Sequence, residues 1–439
     1  MKLLTNKFST IILTISFLFL IYTFYKSEII WDGNIRNYYK TYYLISFILI
    51  LFSIITFFIN YKIKKYFIIS GVSFVLLLYL FEGYLTFKKQ LSKEQIKKEQ
   101  FYEKQTGNKW DNRAKIDIYK ELKKNSDNIT IFYNPANLYT KNYFTHPFPL
   151  SGASNSETIR CNENGYFQFY QSDRYGFNNP DSEWDKKEIE YLLVGDSYIQ
   201  GDCVNRPNDI SSVLRNLSNK SVLNLGISGN GPLMEYATLR EYLDTNVQKV
   251  LWNYYEGNDL KNLKYEITNN ILIKYLKDLN FTQNLKLKQN EIDDFIANFI
   301  KKEEREREKE INPSKFNLLK FIKVYNIRYL ILPPAKQTPG AEFKKVLQLT
   351  KELTNKNNSK LYFVYLPENH RYKRTYDNTN YNLVKNIVTE LKIPFIDISK
   401  EVFEKEQNPL KLFPYEVHVH YNVEGYKKVA EIIYKFTKD

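Results

Sequence analysis

The chain has 439 residues, enough for two or more domains, with 63 Lys and Arg against 49 Asp and Glu and a formal net charge of +14. The basic excess is spread along the chain, with no arginine-rich stripe and no DNA- or RNA-binding motif, so nucleic acid is not an expected partner. Two cysteines, Cys161 and Cys203, are too few for a disulfide-rich scaffold, and their spacing fits no zinc site.

Three apolar runs open the chain, at Phe8 to Tyr25, Tyr43 to Asn60 and Tyr66 to Phe87. Each has about 18 residues or more, enough to cross roughly 30 Å of hydrocarbon as a helix. Tyr and Phe gather at their ends, as in interfacial aromatic belts. Residues 1–87 therefore read as a membrane domain of three transmembrane helices, the first a retained anchor because no small-x-small cleavage site follows it. Glu82, in the third run, is expected at the interface and solvated. Lys62, Lys64 and Lys65 in the second loop favour that loop in the cytoplasm and the rest of the chain outside. Lys88, Lys89, Lys93, Lys97 and Lys98 count the other way.

Residues 88–128 are charged and helix-prone, and read as a linker or stalk. From residue 129 to 439, short apolar runs alternate with helical patterns. The runs are Ile189 to Val194, Ser221 to Ile227, Lys249 to Tyr255, Lys360 to Leu366 and Pro394 to Ile398. Helical stretches include Phe343 to Leu353 and Tyr381 to Leu391. This alternation predicts βαβ units and a mostly parallel sheet, and near-continuous apolar strands suit a sheet covered on both faces. Between the third and fourth strands, residues of about 260–340 form a helical insertion. Its run "EEREREKE", Glu303 to Glu310, reads as a solvated helix face.

Ligands of open α/β sheets bind beyond the carboxyl ends of the strands, so the residues there carry the chemistry. After the first strand, Gly195-Asp196-Ser197 turns into a helix whose free N–H groups favour developing negative charge. After the second, Gly226, Gly229 and Gly231 let backbone N–H groups approach a substrate. After the third, "EGND" supplies Asn258 as a side-chain donor, of the kind an acyl-transfer site needs around an oxyanion. After the last, His420 precedes a helix in which Tyr426, Val429, Ala430, Ile433 and Phe436 follow helical spacing. The chain has four histidines, His146, His370, His418 and His420, and a serine nucleophile needs such a base. His146 and His370 read as structural or peripheral, and His418 as a loop or substrate-contacting residue.

These four pieces resemble the SGNH/GDSL hydrolase superfamily, over roughly residues 154–439. The matches are Ser197 in "GDS", Gly229 in "ISGN", Asn258 in "EGND" and His420 in "HYNVEG". The resemblance implies a flavodoxin-like parallel sheet in a three-layer α/β sandwich. It implies Ser197 as the nucleophile toward an ester carbonyl, and an oxyanion hole of Ser197 N–H, Gly229 N–H and the Asn258 side chain. No metal or organic cofactor is implied. The acid that the family carries two or three residues before its His is missing, since those positions hold His418 and Val417. Either Glu416 orients His420, or a backbone carbonyl holds the imidazole in a Ser-His dyad. Within this frame, a Cys161–Cys203 bridge would pin the lead-in segment to the active-site loop and place the domain in an oxidising compartment; two reduced, buried thiols are the alternative.

The expected function is a membrane-anchored serine esterase, acyl hydrolase or O-acyltransferase working outside the cytoplasm on ester-linked acyl groups of cell-surface polysaccharide. Its expected partners are an ester-bearing glycan and the lipid bilayer, with protein partners undefined. The competing readings are a lipid esterase or thioesterase, and a non-catalytic glycan-binding or assembly protein.

Overall fold

The computed structural model describes residues 2–30, 33, 36–88, 93–136, 138, 147–309, 317–332, 337–373, 375–417 and 419–438. His146 and His418 lie outside these residues. The chain divides into two compact units, Met1–Lys93 with Asn312–Lys336, and Glu94–Ile311 with Gln337–Asp439.

In the first unit, α1 (Lys2–Phe24), α2 (Arg36–Phe58) and α3 (Tyr61–Lys88) are long, apolar helices. Their segments Lys7–Ile30, Tyr38–Phe58 and Tyr61–Thr86 are each long and apolar enough to cross a bilayer. Small hydroxyl residues sit where helices meet: Ser16 Oγ is 3.3 Å from Ser53 Oγ, and each hydroxyl also bonds a carbonyl one turn earlier in its own helix. Glu82 is fully buried, contrary to the expectation of a solvated carboxylate.

The second unit is an α/β sandwich. Five parallel strands, β4 (Ile189–Val194), β5 (Val222–Asn224), β6 (Val247–Tyr255), β7 (Lys360–Leu366) and β8 (Phe395–Asp397), lie in the order β5-β4-β6-β7-β8. Counted from β4, this is the 2-1-3-4-5 order of flavodoxin-like sheets. Side chains of a strand alternate between faces, and here they feed two separate cores. Leu192 and Val194 of β4, Val250 and Trp252 of β6, and Phe363 and Tyr365 of β7 pack with the helices Pro232–Tyr242, Ala341–Lys356 and Thr379–Glu390. Tyr191 and Leu193, Leu251, and Tyr362 and Val364 pack on the opposite face with the helices Ile210–Ser218 and Val423–Thr437. Both faces are dry, which is why the strands read as continuous apolar runs. In the last helix Tyr426, Val429, Ala430 and Ile433 are buried as the spacing predicts, whereas Phe436 is exposed because it falls beyond the edge of the covered face.

Three features differ from the sequence reading. A small second sheet, β1 (Ile129–Ile131), β2 (Glu157–Ile159) and β3 (Phe169–Gln171), precedes the main one, with β1 and β2 parallel and β2 and β3 antiparallel. The charged segment 88–128 is not a free stalk. Its helix Lys115–Leu122 buries Ile116 and Ile118 in the core of the second unit. The insertion is divided: the helix Gln289–Lys309 packs Ile292, Ile296 and Ile300, spaced four residues apart, into that same core, while residues 317–332 belong to the first unit.

Candidate active site

Ser197 follows β4 and opens a short helix, Ser197–Gln200, whose N-cap is Asp196. The buried Asp196 carboxylate accepts the Tyr198 N–H at 3.0 Å, so it serves the turn. Burial pushes its pKa up to about 6, opposed by that hydrogen bond and by the nearby His420. Gly195 admits the tight packing: a Cβ there would sit 2.5 Å from the Ile199 side chain and 3.0 Å from the Asn253 carbonyl.

His420 lies in the loop before the helix Val423–Thr437, which Asn422 caps by accepting the Gly425 N–H. Tyr198 fixes the loop from the Ser197 side, its hydroxyl donating to the Val419 carbonyl and its ring 5.1 Å from the imidazole. Tyr421 anchors the other side through Pro367 O at 2.8 Å. Between these supports, His420 Nε2 comes to 2.9 Å from Ser197 Oγ.

The other ring nitrogen faces a residue absent from the sequence reading. His420 Nδ1 is 3.0 Å from Glu163 Oε1, and the His420 backbone N–H donates to Glu163 Oε2 at 3.3 Å. In the neutral ring a carboxylate on Nδ1 selects the tautomer with the proton there and leaves Nε2 as an acceptor facing the Ser197 hydroxyl. Glu416, the sequence candidate for this place, is exposed and accepts from Asn408 Nδ2 at 3.0 Å. Glu416 lies just before the histidine in the chain, whereas the carboxylate on the ring comes from the β2–β3 connection, 257 residues earlier.

Arg160 and Gln168, at the two ends of that connection, and the residues between them are tied to the loop that follows the Ser197 helix. Cys161 and Cys203 form a disulfide, the pairing considered from the sequence. Beside it Arg160 holds buried Asp202 through two hydrogen bonds, Nε–Oδ1 at 2.7 Å and Nη2–Oδ2. Asn164 Nδ2 donates to Cys203 O at 2.6 Å, and Gln168 bonds Gly201 O, Val204 O and Cys203 N–H. A signal for Glu163 was present in "CNENG": it lies two residues after the cysteine expected to bridge to the nucleophile loop.

The site is charged around the imidazole. Burial works against the protonated ring, but the charge and hydrogen bond of Glu163, with Asp202 and Asp196, outweigh it and raise the His420 pKa to about 9. Asp202 Oδ2 lies 3.7 Å from Nε2. Glu163, Cys203 and His420 also bring three potential metal donors within 4.8 Å of one another, but the Cys203 sulfur is consumed by the disulfide and is no thiolate ligand.

Gly229 and Asn258 follow β5 and β6, the strands on either side of β4, so both lie at the same sheet edge as Ser197. Gly229 has φ +86°, and a Cβ there would lie 2.6 Å from Asn134 Oδ1; both conformation and space require glycine. Its loop is strapped from the helix Asp259–Glu266. Asn262 Nδ2 donates to Gly229 O at 3.1 Å, and Glu266 accepts Gly231 N–H at 2.6 Å and Leu233 N–H at 2.9 Å. Gly226 presses on the helix Ser197–Gln200, a Cβ there falling 2.5 Å from Gln200 N. Asn258 is half-buried at the N-cap of Asp259–Glu266, and the next residue, Asp259, accepts the Tyr255 N–H at 2.8 Å and closes the turn. His370 is exposed in the short helix Asn369–Tyr372, apart from these contacts.

No protein-family profile matches the chain, and no curated protein matches it. Among solved structures it is similar to that of a protein assigned to the G-D-S-L lipolytic family, from Desulfitobacterium hafniense DCB-2, at 14% identity and a TM-score of 0.29, over 56% of this chain and 99% of that one.

Proposed function

We propose that the chain is a membrane-attached serine hydrolase or acyltransferase acting on esters, with Ser197 as nucleophile, His420 as general base and acid, and Glu163 as the residue that orients the imidazole. One observation carries this reading. A serine hydroxyl at a strand-to-helix turn lies 2.9 Å from an imidazole nitrogen whose partner nitrogen is 3.0 Å from a carboxylate. These are hydrogen-bonding distances in the relay that activates a serine.

As Ser197 Oγ attacks the acyl carbon, its proton passes to His420 Nε2, and the carbonyl electrons move onto oxygen. The Ser197 and Gly229 N–H groups and the Asn258 carboxamide form the proposed oxyanion hole. Collapse breaks the bond to the leaving oxygen, which takes the proton from Nε2, and leaves acyl-Ser197. Water or an acceptor hydroxyl then gives its proton to His420 and attacks the acyl carbon, and the reverse collapse restores Ser197. Glu163 keeps its charge throughout and stabilises the transient imidazolium, as Asp202 does from the Nε2 side.

The disulfide supports an oxidising compartment for this unit, and so an extracytoplasmic site in a membrane protein. An acyl ester of surface polysaccharide is the substrate class proposed for such a placement. The apolar helices favour one second reading, esters of lipids reached in the bilayer. The carboxylate on Nδ1 weighs against a non-catalytic role, which rested on an absent acid. The test is labelling by a fluorophosphonate probe, followed by assay on acetylated glycan and on lipid esters. Wild type is expected to form an adduct that Ser197→Ala does not; an adduct persisting in Ser197→Ala, or none in folded wild type, rejects the assignment.

A further inference from the structure

Residues 317–332 are an odd part of a soluble insertion. They form two short helices, Leu318–Ile322 and Tyr325–Ile331, in which no residue is buried. Leu318, Leu319, Ile322, Tyr329, Leu330 and Ile331 are each more than half exposed. Polar surface is confined to a few positions: Lys320 and Arg328 both lean over the Tyr325 ring, at 5.4 and 5.9 Å. In water this pattern would leave a contiguous apolar surface on a small hairpin.

The hairpin is held by the third apolar helix, and the attachment is polar. Glu82 accepts the Asn326 N–H at 3.0 Å and Asn326 Nδ2 at 2.9 Å on one oxygen, and the Ile327 N–H at 3.0 Å on the other. Asn326 Nδ2 also reaches Thr86 Oγ1 at 3.1 Å, and Tyr79 donates to Ile322 O at 2.9 Å with its ring 5.4 Å from Phe321. Tyr79, Glu82 and Thr86 share one face of α3 over its last three turns, by their spacing of three and four.

The two oddities explain each other. A carboxylate within an apolar span is costly in hydrocarbon unless its oxygens are satisfied inside the protein, and a span carrying one has a partner to be named. Here the partner is the hairpin itself, through the backbone N–H groups of Asn326 and Ile327 and the Asn326 side-chain amide. The hairpin's outward residues are apolar, as are those of α3 itself, among them Leu76, Leu77 and Leu80. We propose that residues 317–332 are a fourth membrane-embedded element: a helical hairpin lying in the bilayer beside the C-terminal end of α3, locked there by Glu82. Lys320, Lys323 and Arg328 set its depth near the interface, where long basic side chains reach the headgroups. The occupant of the exposed face is lipid, because that face continues the lipid-facing surface of a helix that must itself contact lipid. The consequence is a second attachment of the hydrolase unit to the membrane, since the chain leaves that unit after Ile311 and returns to it at Gln337.

Both native cysteines are joined to each other, so a thiol-reactive nitroxide labels an introduced cysteine alone. The experiment uses the full chain in phosphatidylcholine–phosphatidylglycerol nanodiscs and compares relaxation by oxygen with relaxation by a water-soluble nickel chelate. Labels at Leu319→Cys and Leu330→Cys are expected to favour oxygen, as a label at Leu77→Cys in α3 does, whereas Leu287→Cys in the second unit favours nickel. Adding Glu82→Ala to Leu330→Cys is expected to move that label toward the nickel side. Hairpin labels that read like Leu287→Cys, or that neither reagent reaches because another protein covers them, overturn the proposal. An unchanged Leu330→Cys label in the Glu82→Ala background overturns the lock.

Discussion

The two halves of the proposed relay are built in opposite ways. Ser197 and His420 stand where the sheet puts them: one opens the helix after β4, the strand between β5 and β6, and the other precedes the helix Val423–Thr437 that packs on one face of the sheet. Backbone pairing of β4 with β5 and β6, and two dry cores, position that half. Glu163 belongs to a connection of the small sheet and is brought to the ring by cross-links, the Cys161–Cys203 bond, the Arg160–Asp202 pair and the amides of Asn164 and Gln168. A parallel sheet supplies its strand-end geometry as part of folding, whereas a loop outside it needs specific ties to hold a carboxylate within hydrogen-bond reach.

The sharpest way to break this comparison is to remove the carboxylate and keep everything else. Glu163→Gln is expected to lower kcat by about 10⁴-fold, the loss seen when a serine triad loses its orienting acid. The same variant carries a pH signature. The base works only when neutral, so wild-type kcat/KM should climb with pH through a midpoint of about 9, where Glu163 and the neighbouring aspartates hold the imidazole. Without the Glu163 charge the midpoint should fall toward the ordinary histidine value of about 6.5. A pH–rate profile unchanged in Glu163→Gln would remove Glu163 from the relay.

Asn258→Ala probes the sheet-built half. Loss of one oxyanion donor is expected to cost about 10²–10³ in kcat, with KM little changed, as steady-state kinetics on a common ester would read. A change confined to KM would make Asn258 a substrate-binding residue only.

Opening the ties tests the other half without touching Glu163. Reduction of Cys161–Cys203 by dithiothreitol, or the double change Cys161→Ser and Cys203→Ser, is expected to lower kcat by up to about 10²-fold, the scale of a misplacement of about 1 Å. The midpoint of the pH profile should move in the same direction as in Glu163→Gln. The bond closes a separation of 42 residues, so a fall in thermal stability of about 2–4 kcal/mol should accompany it. If activity survives reduction while stability falls, the bond serves the fold alone.

The smallest effect belongs to Glu416→Gln. The residue is exposed and bonded to Asn408, so stability should change by less than about 0.5 kcal/mol and the rate should stay at the wild-type level. A large loss of kcat there would return the role of acid to Glu416.

What was legible in the residues follows from local physics. The runs "IEYLLV" and "KLYFVYL" announced strands covered on both faces because alternate side chains enter two different cores, and both faces are apolar. Gly-Asp-Ser after such a strand marked the turn of the proposed nucleophile, and the scarcity of histidine left few candidates for its proposed base. The three apolar helices were legible from length and composition alone. Two associations were not. Glu163 is one carboxylate among 49 acidic residues, and nothing in its neighbours says that a ring 257 residues away will meet it. Residues 317–332 likewise read as part of a soluble insertion, because their tie to Glu82 spans about 244 residues and is made by one asparagine amide and by backbone N–H groups, which every residue but proline carries. Periodicity and turn chemistry are properties of consecutive residues, so the elements and the order of the strand-end residues could be read from the chain alone. Which distant carboxylate faces the imidazole, and which loop meets the apolar helices, are pairings between segments far apart in the chain that tertiary packing alone sets.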